Sequence, residues 1–121
     1  MIKNFKELKV WQKAHILVLQ VYKITQNFPA RELYCLTSQM RRAAISIAAN
    51  IVEGKKRNTA NDFAHFINMA DTSLEELKYY FILSKDLEYI STEKMNVLMS
   101  MAEEVGLMLN GLEKVLQKYK R

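Results

Sequence analysis

The chain has 121 residues, half of them hydrophobic and 26% charged, with one proline and three glycines. That length supports one core, so residues 1–121 read as a single domain, and that composition excludes a disordered or collagen-like chain. Eighteen Lys and Arg against thirteen Asp and Glu give a formal net charge of +5, a bias toward anionic partners that identifies none by itself.

The opening stretch, MIKNFKELKVWQKAHI, is polar and periodic and lacks the apolar core of a signal peptide. Apolar residues then recur at spacings of three and four, which predicts a first helix near residues 5–27. Leu8, Trp11, His15, Val18, Tyr22 and Thr25 form one column of it. Val10, Ala14, Leu17, Val21, Ile24 and Phe28 form a second beside the first. Two adjacent columns make an apolar face broader than a two-stranded coiled coil needs. Pro29, in NFPARE, ends the segment, because the residue before a proline avoids helical angles.

The second helix is expected over 36–56, with Gly54 near its end as a left-handed or flexible closing residue. Thr59 and Asp62 then resemble a capping box with Asp in place of Glu. They open a third helix over 60–87 whose core column is Phe63, Phe66, Ile67, Ala70, Leu74, Leu77, Phe81 and Ser84. Ser91 or Thr92 caps a fourth helix over 92–118, built on Met95, Leu98, Ala102, Val105, Leu109, Leu112, Leu116 and Tyr119. Lys114, Lys118, Lys120 and Arg121 finish it at the negative end of the helix dipole. Four helices with short connections predict an all-α, up-down antiparallel four-helix bundle.

The second helix carries the most information. Gln39, Arg42, Ser46, Asn50, Glu53 and Arg57 fall within a sector of roughly 80° at 100° per residue. Leu36, Met40, Ala43, Ala44, Ile47, Ala48, Ile51 and Val52 take about half of the remaining circumference, and Ile45 extends that surface. So narrow a polar stripe on so apolar a helix predicts a central position or a subunit contact, where small alanines permit close approach. Two readings of the stripe stand. In one, Gln39, Ser46, Asn50 and Glu53 belong to a hydrogen-bonded structural seam, with Arg42 reaching Ser46, Asn50 bonding across helices and Glu53 pairing with Arg57. In the other, the helix is a ligand surface on which Arg41, Arg42 and Arg57 contact phosphate. The seam weighs more, because a partly buried polar network must satisfy itself first.

SQMRRAAISIAANIVEG (Ser38 to Gly54), with FKELKVWQKA (Phe5 to Ala14) upstream, resembles the four-helix-bundle proteins encoded in intervening sequences of bacterial 23S ribosomal RNA genes. FPARELYCLTSQ (Phe28 to Gln39) and ADTSLEEL (Ala70 to Leu77) are similar to further blocks of that family, so the resemblance spans nearly the whole chain. Cys35 stands where the family usually has Gly, Ala48 where it usually has Pro, and Val52 where it usually has Ala. Loss of the proline restores a backbone donor and should straighten the second helix. The resemblance implies a small four-helix protein, often a ring-shaped homo-oligomer, with a homopentamer as the expected assembly and no established enzymatic activity. The accessory protein of diversity-generating retroelements is similar in fold and is associated with nucleic acid. These likenesses favour RNA over a small-molecule substrate, by analogy of fold and gene context.

Catalytic chemistry finds little support. His15 lies in an apolar column, where a hydrogen-bonded core or interface histidine is the plainer reading. Asp62 and His65 share a three-residue spacing but lack the second half of a carboxylate-bundle metal site. Cys35 has no motif around it and cannot close an internal disulfide, which fits a reducing compartment. There is no phosphate-binding Gly-rich loop, and no catalytic, metal or cofactor site is expected. No stretch approaches the ~18 uninterrupted apolar residues of a membrane span, so the expectation is a cytoplasmic protein without a membrane partner. Basic residues remain: Arg41, Arg42, Lys55, Lys56 and Arg57 are the nucleic-acid-binding candidates, supported by Lys6, Lys9 and Lys13 and by the basic C-terminus. A homo-oligomer would multiply them, five copies carrying a formal charge of about +25. The sequence thus predicts a non-enzymatic oligomer that binds RNA backbone. An adaptor that binds another protein, with charge conferring only solubility, is the alternative.

Overall fold

The computed structural model describes residues 4–119. The described residues form four helices and no strands: α1 (Lys9–Thr25), α2 (Leu36–Lys55), α3 (Ala60–Asp86) and α4 (Thr92–Gln117), with single 3-10 turns at Phe5–Glu7 and Ala30–Glu32. Lys120 and Arg121 of the basic C-terminus lie outside the described residues.

Each helix packs on two neighbours, α2 on α1 and α3, α4 on α3 and α1, and the diagonal pairs stay apart. The direction of α2 against α3 follows from their side-chain contacts. Gly54 faces Phe63 and Phe66, Ser46 meets Ser73, and Met40 meets Ser84, so one chain ascends as the other descends. This is the arrangement of an antiparallel four-helix bundle around a single core. Buried Leu17, Val21, Met40, Ile47, Ile51, Ile67, Leu74, Leu77, Phe81, Leu98 and Leu109 fill that core.

The second of the two columns on α1 is buried along its whole length, from Val10 to Phe28. The first column lies at the flank: Leu8, Trp11 and Val18 are half-buried, Tyr22 and His15 are exposed, and only Thr25 is buried. His15 is therefore no core histidine. It stacks on Trp11 with ring centroids 5.1 Å apart and planes 5° from parallel.

Helix α1 begins at Lys9 and not near residue 5. Asn4 caps the Phe5–Glu7 turn by accepting from the Lys6 backbone N–H at 2.9 Å, and Leu8 is extended (φ −75°, ψ 122°). The bend folds Phe5 back edge-on against Trp11 at 5.0 Å, and Gln12 donates to the Lys6 carbonyl at 2.8 Å. Both contacts join the turn to the first turn of the helix, and a three-four spacing pattern does not carry them.

The other starts follow their capping chemistry. Thr59 accepts from the Asp62 N–H at 3.1 Å, and Ser91, not Thr92, accepts from the Lys94 N–H at 3.0 Å. Helix α2 runs unbroken past Ala48, as a residue with a backbone donor allows.

Gly54 differs from its expected role. It is helical and buried and has no left-handed backbone. A Cβ placed there would lie 2.8 Å from Phe63 Cδ1 and 3.0 Å from Phe66 Cβ, so the glycine is there for the close approach of α3. Among the described residues, the left-handed one is Glu88 (φ 66°), beyond the end of α3. The Tyr89 N–H donates to the Ser84 carbonyl and the Glu88 N–H to the Lys85 carbonyl, both at 2.9 Å, the paired bonds of a Schellman motif. This turn delivers Tyr89 to the connection between α1 and α2. There its hydroxyl donates to Glu32 Oε2 at 2.7 Å and its ring packs on Phe28 at 5.2 Å. The hydrogen bond to the carboxylate, with burial second, holds the Tyr89 phenol above its ordinary pKa.

Candidate nucleic-acid interface

Helix α2 brings the polar column to the surface beside α3, and its members divide by position. Gln39 and Arg42 are exposed near the start, Ser46 and Asn50 are half-buried in the middle, and Glu53 and Arg57 are exposed at the end. The middle is a seam. Asn50 Nδ2 donates to the Ser46 carbonyl (2.8 Å) and to Ser46 Oγ (3.0 Å), and the Ser73 hydroxyl donates to Ser46 Oγ at 2.9 Å from α3. The cross-helix bond expected of Asn50 is thus made by Ser46. At the end, Arg57 pairs with Glu53 (Nη2 to Oε2, 2.8 Å), bonds its carbonyl through Nε, and lies 4.7 Å over the Phe66 ring.

The five basic candidates do not form one cluster. Arg41 and Arg42 sit on the second turn of α2, while Lys55, Lys56 and Arg57 sit at its close, about 20 Å away at 1.5 Å per residue. Arg41 is committed to packing. Its Nε donates to Thr25 Oγ1 at 2.9 Å and its guanidinium lies 4.6 Å over the Tyr22 ring, tying α2 to α1. Arg42, Lys55 and Lys56 differ: among the described residues, none has a carboxylate within ion-pair distance. Lys55 and Lys56 flank a groove of about 420 Å³ between the Phe5–Glu7 turn and the end of α2. Lys13, by contrast, faces Glu104 of α4 at 3.6 Å.

A second groove, of about 600 Å³, runs between the end of α1 and the first half of α2, and sequence reasoning did not single it out. Tyr34 stands at its mouth, 88% exposed, after the turn that follows Pro29. A large aromatic in a surface turn was the available signal.

Among the described residues, no group of three or more His, Cys, Asp or Glu could hold a metal ion. His65 is exposed and lies edge-on to Phe66 at 5.7 Å, and Cys35 is exposed and free. No helix among them is long and apolar enough to cross a membrane.

Comparison with curated proteins returns no match. Among solved structures, the chain is similar to a crystal structure of a protein of unknown function from the S23 ribosomal protein family of Bacteroides thetaiotaomicron VPI-5482. The two share 23% identity over 87% of this chain and 95% of that one, with a TM-score of 0.81, a likeness of fold. The family model of the 23S rRNA-intervening sequence proteins matches residues 6–111, and with the Gln39-to-Gly54 helix at its centre the chain belongs to that family.

Proposed function

We propose that this chain is a non-enzymatic, self-associating protein that binds nucleic acid, with RNA as the ligand, through backbone contacts that do not read bases. The distribution of charge carries the reading. From Leu36 to Arg57 there are five Lys and Arg against the single Glu53, a formal +4 of the chain's +5. Helix α2 and the two residues that follow it therefore hold most of the excess charge. Glu53 is spent on Arg57, which leaves Arg42, Lys55 and Lys56 available to phosphate.

Self-association has separate support. Leu19 and Leu107 are 54% and 74% exposed, large apolar side chains that a second copy would cover. Five copies is the number that the family resemblance suggests, and a ring would repeat the basic helix around one axis. The same exposed leucines suit the adaptor reading, in which another protein covers them and the charge has no ligand.

Fluorescence anisotropy of the purified protein with labelled RNA, across a salt series, separates the two. The proposal expects binding at low salt whose logarithm falls linearly with that of salt concentration. An adaptor shows no RNA binding at any salt.

A further inference from the structure

The groove between α1 and α2 has a chemistry different from the rest of the basic helix. Arg41 and Arg42 line it together with Tyr22, Leu33, Tyr34 and Ile45, and no carboxylate does. Tyr34 is 88% exposed, so its ring is accessible to a stacking partner. Arg41, pinned over Tyr22 and tied to Thr25 Oγ1, makes a fixed cationic wall. Arg42, the next residue, is exposed and has no carboxylate partner among the described residues.

An exposed aromatic ring beside guanidinium groups that face no carboxylate suits a ligand that is both planar and anionic. A double-stranded RNA keeps its base faces stacked inside the helix and offers side chains only edges, sugars and phosphates. An unpaired strand offers both parts: bases that stack on tyrosine or arginine planes and phosphates that pair with arginine. Ser38, Arg42 and Ser46 recur every four residues along one side of α2, so the groove extends about 12 Å along the helix at 1.5 Å per residue. That is a track for a strand and not a point site.

We propose that this groove holds an unpaired segment of RNA, with a base stacked on Tyr34 and the adjoining phosphate held by Arg42. The proposal rests on the RNA-binding reading above and adds to it a preference for single strands, with the position of the contact. Stacking on one aromatic is tolerant of sequence, so the preference concerns strandedness and not base identity.

The test compares wild type, Tyr34→Ala and Tyr34→Phe with an unstructured uridine oligomer and a duplex of equal length, about 12 nucleotides. Light scattering gives the mass of each protein. Wild type should bind the single strand more tightly. Tyr34→Ala should weaken single-strand binding roughly five- to hundred-fold with duplex binding and mass unchanged, and Tyr34→Phe, which keeps the ring, should match wild type. Equal affinity of wild type for both RNAs, or no effect of Tyr34→Ala, overturns the groove assignment and leaves the RNA-binding reading standing. A fall in mass with Tyr34→Ala also overturns it, because the groove would then belong to a second copy. Absence of binding to either RNA removes both.

Discussion

The hydroxyl of Ser73 on α3 donates to that of Ser46 on α2 across 2.9 Å, and Asn50 donates to the same oxygen from one turn away at 3.0 Å. This pair is the polar node of an otherwise alanine- and isoleucine-rich contact, and it divides the polar column of α2 by energy. Asn50→Ala removes two hydrogen bonds from a half-buried site and should cost about 1 kcal/mol, and Ser46→Ala, which strands Ser73 as well, about 1–2 kcal/mol. Glu53→Ala removes an exposed ion pair and should cost under about 0.5 kcal/mol. Urea unfolding followed by circular dichroism ranks the three. An effect of Glu53→Ala as large as that of Ser46→Ala contradicts the division.

Gly54→Ala sets helix propensity against packing. Alanine is the better helix former by about 1 kcal/mol, so an exposed Gly54 would gain from the change. Here the added Cβ lies 2.8 Å from the Phe63 ring and 3.0 Å from the Phe66 Cβ, and the latter cannot move without shifting α3. The variant should be destabilised by about 1–3 kcal/mol. A higher melting temperature would show that the helices part at no cost.

Glu88→Gly should act in the opposite direction. Glu88 is left-handed at φ 66°, which costs a side-chain-bearing residue about 1–2 kcal/mol, partly offset by the greater freedom of glycine when unfolded. A gain of about 0.5–1 kcal/mol is expected in thermal melts, because both bonds of the Schellman turn remain.

Tyr89 gives a pH dependence. Its neutral hydroxyl donates to the Glu32 carboxylate, and that bond raises the folded-state pKa above the unfolded value near 10. The stabilisation is therefore complete below about pH 10 and is lost as pH rises through the folded value. Tyr89→Phe should melt below wild type at neutral pH, and the gap should close in strongly alkaline buffer. A gap that is constant with pH contradicts stabilisation by the bond from the Tyr89 hydroxyl to Glu32.

Much of the fold was legible because its signals are local. The core columns of α3 and α4, and the buried column of α1, are periodic patterns that burial reproduces from Ile67 to Ser84 and from Leu98 to Leu109. Thr59 and Ser91 announced their helix starts in the same way. What was not legible depends on contacts between different elements. Leu8 is extended because Phe5 returns to Trp11, Gly54 is required by Phe63, and Arg41 is taken up by Thr25 and Tyr22. The sequence already put Lys55, Lys56 and Arg57 beside Gly54 and Arg41 and Arg42 earlier on the same helix. The helix sets the two groups about 20 Å apart and, among the described residues, leaves three of the five without a carboxylate partner.

Contact between the α2 cations and RNA phosphate is tested most directly by the salt dependence of RNA affinity. The measurement sets Arg42→Ala/Lys55→Ala/Lys56→Ala beside the charge-matched Lys9→Ala/Lys114→Ala/Lys118→Ala, whose three lysines are exposed on other elements. If the α2 cations touch phosphate, the slope of log affinity against log salt falls by roughly two units in the first variant, at about 0.7 for each phosphate no longer neutralised. That variant should also weaken on every RNA sequence, while the second keeps the wild-type slope. Equal slopes in the two variants contradict phosphate contact by α2.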